Sequence, residues 1–202
     1  MALHKDIKDL KIALIETGVD NTGKSLVWTK DRDDAYDHRL FSPTLGIYNF
    51  LQSSSNRAQK QDSSTVQSFE TNGFVIGSQS GLNVRDKIVA WNFRAAPKFF
   101  DIVQYTGSSS PQSIAHNLGS KPGFTIIICT SDSSDWRSYH KSLGATKYLG
   151  LNQTRDAGEA ISVWNDTEPT STEFTVGTST TVNGADRGFI AYLFADTPGL
   201  IK

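Results

Sequence analysis

Phe74-Val75-Ile76-Gly77 returns near the far end of the chain as Phe174-Thr175-Val176-Gly177, and the residues on either side return with it. Downstream, Asn83 reads against Asn183, and Ala90-Trp91-Asn92-Phe93 with Pro97 reads against Ala191-Tyr192-Leu193-Phe194 with Pro198. Upstream, Leu45-Gly46 pairs with Leu143-Gly144, and Ile12-Ala13-Leu14-Ile15-Glu16-Thr17-Gly18 with Ile102-Val103-Gln104-Tyr105-Thr106-Gly107. A repeat of roughly 95 residues is too long for a solenoid unit and is the size of a small all-β domain. The expected organisation is an arm over 1–9, a first repeat over 10–98 and a second over 99–202.

The windows inside each repeat are rich in Val, Ile, Phe, Tyr, Trp and Thr and are broken by Thr-Gly, Asn-Gly and Ser-rich turns, which marks short strands. They predict strands over 10–17, 25–30, 39–41, 47–52, 65–69, 74–77 and 87–93, then 99–105, 123–130, 136–140, 147–152, 160–164, 173–178 and 187–194. The predicted fold class is all-β: two tandem antiparallel β-sandwich units, jelly-roll or immunoglobulin-like, related by internal duplication. Alternation such as Ile88/Ala90/Asn92 against Val89/Trp91/Phe93 suits sheets that each keep one solvated face. One larger sandwich built jointly from both halves is the alternative.

Composition excludes several function classes. The net charge is -1 and the Lys and Arg residues are dispersed, so no footprint for nucleic acid is present. The single cysteine, Cys129, lies in the apolar run Phe124-Thr125-Ile126-Ile127-Ile128-Cys129 and reads as a small buried hydrophobe. No stretch approaches the roughly 20 apolar residues of a membrane span, and the N-terminus carries His4, Lys5, Asp6, Lys8 and Asp9 where a signal peptide needs an apolar core. The expectation is a protein made in the cytoplasm, without membrane insertion. Leu3, Ile7, Leu10 and Leu14 fall at helical spacing, but the repeat assigns the later part of that stretch to a strand. The arm is then a terminus or an attachment element.

An ordered series in the second half carries a resemblance. It runs through Tyr105-Thr106-Gly107, His116-Asn117-Leu118-Gly119 with Lys121-Pro122, Asp135-Trp136, Tyr139-His140-Lys141-Ser142-Leu143-Gly144, Trp164-Asn165-Asp166-Thr167-Glu168-Pro169, Val182-Asn183-Gly184 and Pro198-Gly199. The series resembles a domain of unknown function that recurs in tailed-bacteriophage virion proteins, often in tail-fibre-like chains, and here it stands as two tandem copies. The first half is similar through Val27-Trp28-Thr29-Lys30-Asp31-Arg32, Ala35-Tyr36-Asp37-His38-Arg39-Leu40-Phe41 and Val89-Ala90-Trp91. It departs in lacking the His-Asn-Leu-Gly connector, since the interval from Gly18 to Trp28 is shorter than that from Gly107 to Ile126. The resemblance implies a non-enzymatic virion structural protein, a tail-fibre or tail-associated component, with recognition of host-surface glycan as a further role. Capsid decoration, cement or a head fibre with purely structural docking is the alternative. Implied partners are other virion proteins and further copies of the chain in a trimer or ring.

No Gly-x-Ser-x-Gly elbow, Walker loop or dinucleotide fingerprint is present, and no cofactor or metal site is expected. His38, His116 and His140 read as structural or surface residues, and the carboxylates lie in turns, where Asp bonds its own backbone. The candidate ligand-binding residues are Asp135, Trp136, Arg137, Tyr139, His140, Trp164, Asn165 and Asp166, because aromatic rings beside planar hydrogen-bonding groups suit sugars. The competing reading places the tryptophans in the sandwich core, as it does Trp28 and Trp91. In the first half His38 takes the place of Trp136 and Phe69 that of Trp164, so recognition is assigned to the second half.

Overall fold

The computed structural model describes residues 13–83 and 87–198; the arm and residues 10–12 of the first predicted strand lie outside them. The chain is nearly all β, and the sheets are antiparallel.

The first half contributes β1 (Ala13–Glu16), β2 (Ser25–Asp31), β3 (Arg39–Phe41), β4 (Asn49–Phe50), β5 (Lys60–Gln61), β6 (Val66–Glu70), β7 (Gly73–Ile76) and β8 (Ile88–Arg94). One sheet has the order β1-β7-β6 and the other β3-β2-β8, with β3 reaching β4 through the Leu40–Leu51 bridge and β4 pairing β5. The second half contributes β9 (Phe100–Thr106), β10 (Gln112–Ala115), β11 (Pro122–Cys129), β12 (Arg137–His140), β13 (Lys147–Gly150), β14 (Gly158–Glu159), β15 (Glu173–Val176) and β16 (Gly188–Ala195). Its large sheet has the order β14-β13-β12-β11-β16-β9, and β10 pairs β15 alone. Two single helical turns, α1 (Ile161–Trp164) and α2 (Thr180–Asn183), complete it.

Period-two alternation builds three cores from these strands. Val27 and Phe41 point with Phe74 and Ile76 into a core between the two first-half sheets. Ile127, Cys129, Phe189, Ala191 and Leu193 point with Ile114, Phe174 and Val176 into a core between the two second-half sheets. The intervening residues make a third: Leu26, Leu40 and Leu51 of the first half meet Ile126, Ile128, Trp136, Ile190, Tyr192 and Phe194 of the second. The expectation that each sheet keeps one solvated face is therefore corrected. The six-stranded sheet, and the β3-β2-β8 sheet away from β8, are covered on both faces because β2, β11 and β16 carry apolar residues in both phases.

The pairing register recurs between the halves. Trp28 opposite Trp91 stands where Ile126 stands opposite Tyr192. Gly77 N–H donates to Thr65 O and Asn83 Nδ2 to Gly77 O at 2.7 Å; Gly177 N–H donates to Val163 O and Asn183 Nδ2 to Gly177 O at 2.6 Å. A Cβ on Gly77 or Gly177 would sit 2.4 or 2.3 Å from the carbonyl oxygen of Ser64 or Ser162, so only glycine allows this approach.

Register, local geometry and burial also correct five expectations. β1 pairs β7 as β10 pairs β15, so the counterpart of 13–16 is 112–115 and not 102–107. The shorter interval is an artefact of that alignment, because Thr17 N–H bonds Asn72 O just as His116 N–H bonds Thr172 O, although Thr17-Gly18-Val19-Asp20 stands in place of His-Asn-Leu-Gly. Val66, not Phe69, stands at the place of Trp164, since Gly77 and Gly177 bond the residues immediately before them. The predicted strand over 160–164 is the turn α1, closed by Asn165 in the left-handed conformation with φ 56°. Trp91, assigned to the core, is 42% exposed on the edge strand β8.

Candidate functional site

The aromatic candidates of the second half, Trp136, Tyr139 and Trp164, divide between two cores and do not converge. Trp136 enters the core between the halves, whereas Tyr139 and Trp164 enter the second-half core and meet edge to face, centroids 6.0 Å apart. Relative exposures of 0% for Trp136, 2% for Tyr139 and 3% for Trp164 leave no ring face for a sugar to stack on. Trp136 and Trp164 thus lie in the cores, where the competing reading places them. Each polar tip is also engaged. Trp136 Nε1–H lies 3.2 Å from Gln52 O and 3.0 Å from Ser55 O, across the junction of the halves, and Trp164 Nε1–H donates to Lys147 O at 2.9 Å.

Arg137 is buried and stacks on the Tyr148 ring with Cζ 4.8 Å from the centroid, and the same position in the first half holds Arg39 over Phe50 at 6.0 Å. Asp135 accepts from Asn152 Nδ2 at 3.0 Å, from Gln153 Nε2 at 2.7 Å and from Arg137 Nη2 at 3.4 Å. Asn152 Oδ1 in turn accepts from Trp136 N–H. The planar groups thus hold one another. Tyr139 O–H donates to Glu168 at 2.6 Å, where Lys121 Nζ also binds at 2.8 Å. Burial and the Glu168 contact push the Tyr139 phenol well above its ordinary range. Asn165 and Asp166 are exposed in consecutive left-handed positions. His140 is half-buried, its Nδ1 accepting from Ser142 N–H, and faces a cleft.

Among the described residues no three His, Cys, Asp or Glu side chains gather as metal ligands do. His116 is buried, its Nδ1 accepts from Leu118 N–H, and burial lowers its pKa. Asp31 accepts from the N–H groups of Asp33 and Asp34, bonds that hold its carboxylate below the ordinary range.

Two concave features escape the sequence reading. A cleft of about 350 Å³ opens at the junction of the halves between Trp28, Phe124, Leu151 and Phe194, with the Lys141–Asp196 ion pair beside His140. A groove of about 790 Å³ runs along β1 and β8, floored by Ala13, Ile15, Ile76, Leu82, Ile88 and Ala90. Neither has a motif signature, because each is made by residues distant in sequence and shows only once the sheets are in place.

The chain matches no curated protein and no solved structure. Residues 13–202 do match a family described as a domain of unknown function (DUF7483), a match that begins with β1 and takes in both halves. The protein belongs to that family.

Proposed function

We propose that this protein is a non-enzymatic structural component of a tailed-bacteriophage virion, a tail-fibre or tail-associated protein that docks on neighbouring virion proteins as a homo-oligomer. The observation that carries the structural part of this reading is Trp136. The residue best suited by type to bind a sugar is wholly buried and bonds the first-half carbonyls of Gln52 and Ser55, so it joins the halves instead. Asp135, Arg137, Asn152 and Gln153 are likewise spent on one another. A stack of sheets joined by three apolar cores gives a rigid body suited to repeated assembly. The virion part rests on the sequence resemblance.

We infer further that the two halves arose by internal duplication. Recurrence of the register, of the Gly77 and Gly177 turns and of the Arg39–Phe50 and Arg137–Tyr148 pairs supports it. Burial of the aromatic rings favours a second reading over host-glycan recognition: capsid decoration or cement, in which docking alone is the function. Imaging of intact virions with this protein labelled tests both readings. Label on tail fibres supports the first, label spread over the head supports the second, and purified particles without label overturn the virion assignment.

A further inference from the structure

We propose that the outer edge of β8 is a strand-acceptor site, which takes an extended segment of a partner polypeptide with apolar side chains at alternate positions. This deepens the docking reading above by naming the surface used, and the chain itself shows what such an edge accepts. In the second half the equivalent edge belongs to β16, and β9 covers it antiparallel from Gly188 opposite Thr106 to Phe194 opposite Phe100. From β9, Val103 and Tyr105 reach into the second-half core, where Tyr105 stacks on Phe189 at 5.3 Å and donates its O–H to Val182 O at 2.6 Å.

In the first half β8 pairs β2 on one side, and no strand among the described residues pairs its other side. Arg32 N–H bonds Lys87 O and Ala95 N–H bonds Lys24 O. By the parity of an antiparallel ladder, Ile88, Ala90, Asn92 and Arg94 aim their backbone groups at the open side. Beside that edge lies the 790 Å³ groove, in the place that Val103 and Tyr105 fill in the other half. An edge unpaired among the described residues, above an apolar floor, is the geometry of β-strand addition, with main-chain bonds giving affinity and alternate side chains giving specificity.

Sequence and family argue for a partner as occupant. The family match starts at β1 and includes β9. In sequence, the stretch His4-Lys5-Asp6-Ile7-Lys8-Asp9 lacks the alternate apolar residues that Val103 and Tyr105 supply in β9. A second copy offers no spare strand of this character among its described residues, because its β9 is already built into its own sheet.

The test uses the full chain and a synthetic peptide with the sequence of 99–107. Amide hydrogen exchange at Ala90 and Asn92 is fast in the chain alone and slows at least about tenfold when the peptide is added. The peptide N-methylated at Val103 and Tyr105, whose N–H groups face the neighbouring strand, gives no slowing. An Ala90→Pro chain, which loses no bond to β2, stays folded and gives none either. Absence of slowing with the unmodified peptide overturns the proposal. So does protection of these amides before any peptide is added, by the chain's own segment if independent of concentration and by a second copy if it rises with concentration. A chain found in virions that refuses the peptide keeps the structural reading and loses this one.

Discussion

Trp136 and Arg137 carry the main lesson at the scale of residues. An indole beside a guanidinium and a carboxylate is what a sugar site contains, and it is also what a buried strand end contains when the indole N–H and the guanidinium find partners within the fold. Residue type could not separate the two; the partners could, and they lie far away in sequence at Gln52 and Ser55. Trp136→Ala is expected to lower stability by roughly 3–5 kcal/mol in chemical denaturation. Asn165→Gly, at an exposed left-handed position, is expected to change it by less than about 0.5 kcal/mol. His116 should set part of the pH dependence. Its pKa is depressed by burial, although Asp101 and Glu173 pull the other way. Stability from the neutral ring is full above the ordinary value of 6.5 and is lost as pH falls from there towards the folded value. Asp31 and Asp62, held below 3.8, add a second loss below about pH 4. Thermal melts across pH should show both phases. His116→Asn, which can still accept from Leu118 N–H, should flatten the first and leave the second.

Elements were legible where apolar residues run through a strand and hidden where they do not. The windows over 39–41 and 187–194 match β3 (Arg39–Phe41) and β16 (Gly188–Ala195) closely because both are short, mostly apolar runs buried in both phases. β10 was missed since Gln112-Ser113-Ile114-Ala115 has one large apolar residue, and it is held by pairing with β15 rather than by propensity. Missing it shifted the first repeat match by a strand. The helical turn α1 was read as a strand because Val163 and Trp164 are apolar; both are buried while Ile161 is 61% exposed, a pattern with no period of two. The Gly177 turn fixes this element, since its N–H bonds Val163 O and its Cα lies against Ser162. Gly177→Ala should cost roughly 1–3 kcal/mol, and Gly77→Ala a similar amount, measured as lowered Tm.

At the scale of the whole molecule, the sequence reading treats the two halves as neighbours, because the apolar residues in the other phase of β2, β11 and β16 have no meaning until the outer faces meet. Leu26, Leu40, Ile126, Ile128, Trp136 and Tyr192 make those faces one core, so the halves should not unfold apart. Calorimetry of the full chain tests this most directly. The account expects one transition, with the calorimetric enthalpy equal to the van't Hoff enthalpy and with Trp136→Ala moving it downward as a whole. Two separable transitions, only one of them shifted by Trp136→Ala, would contradict it.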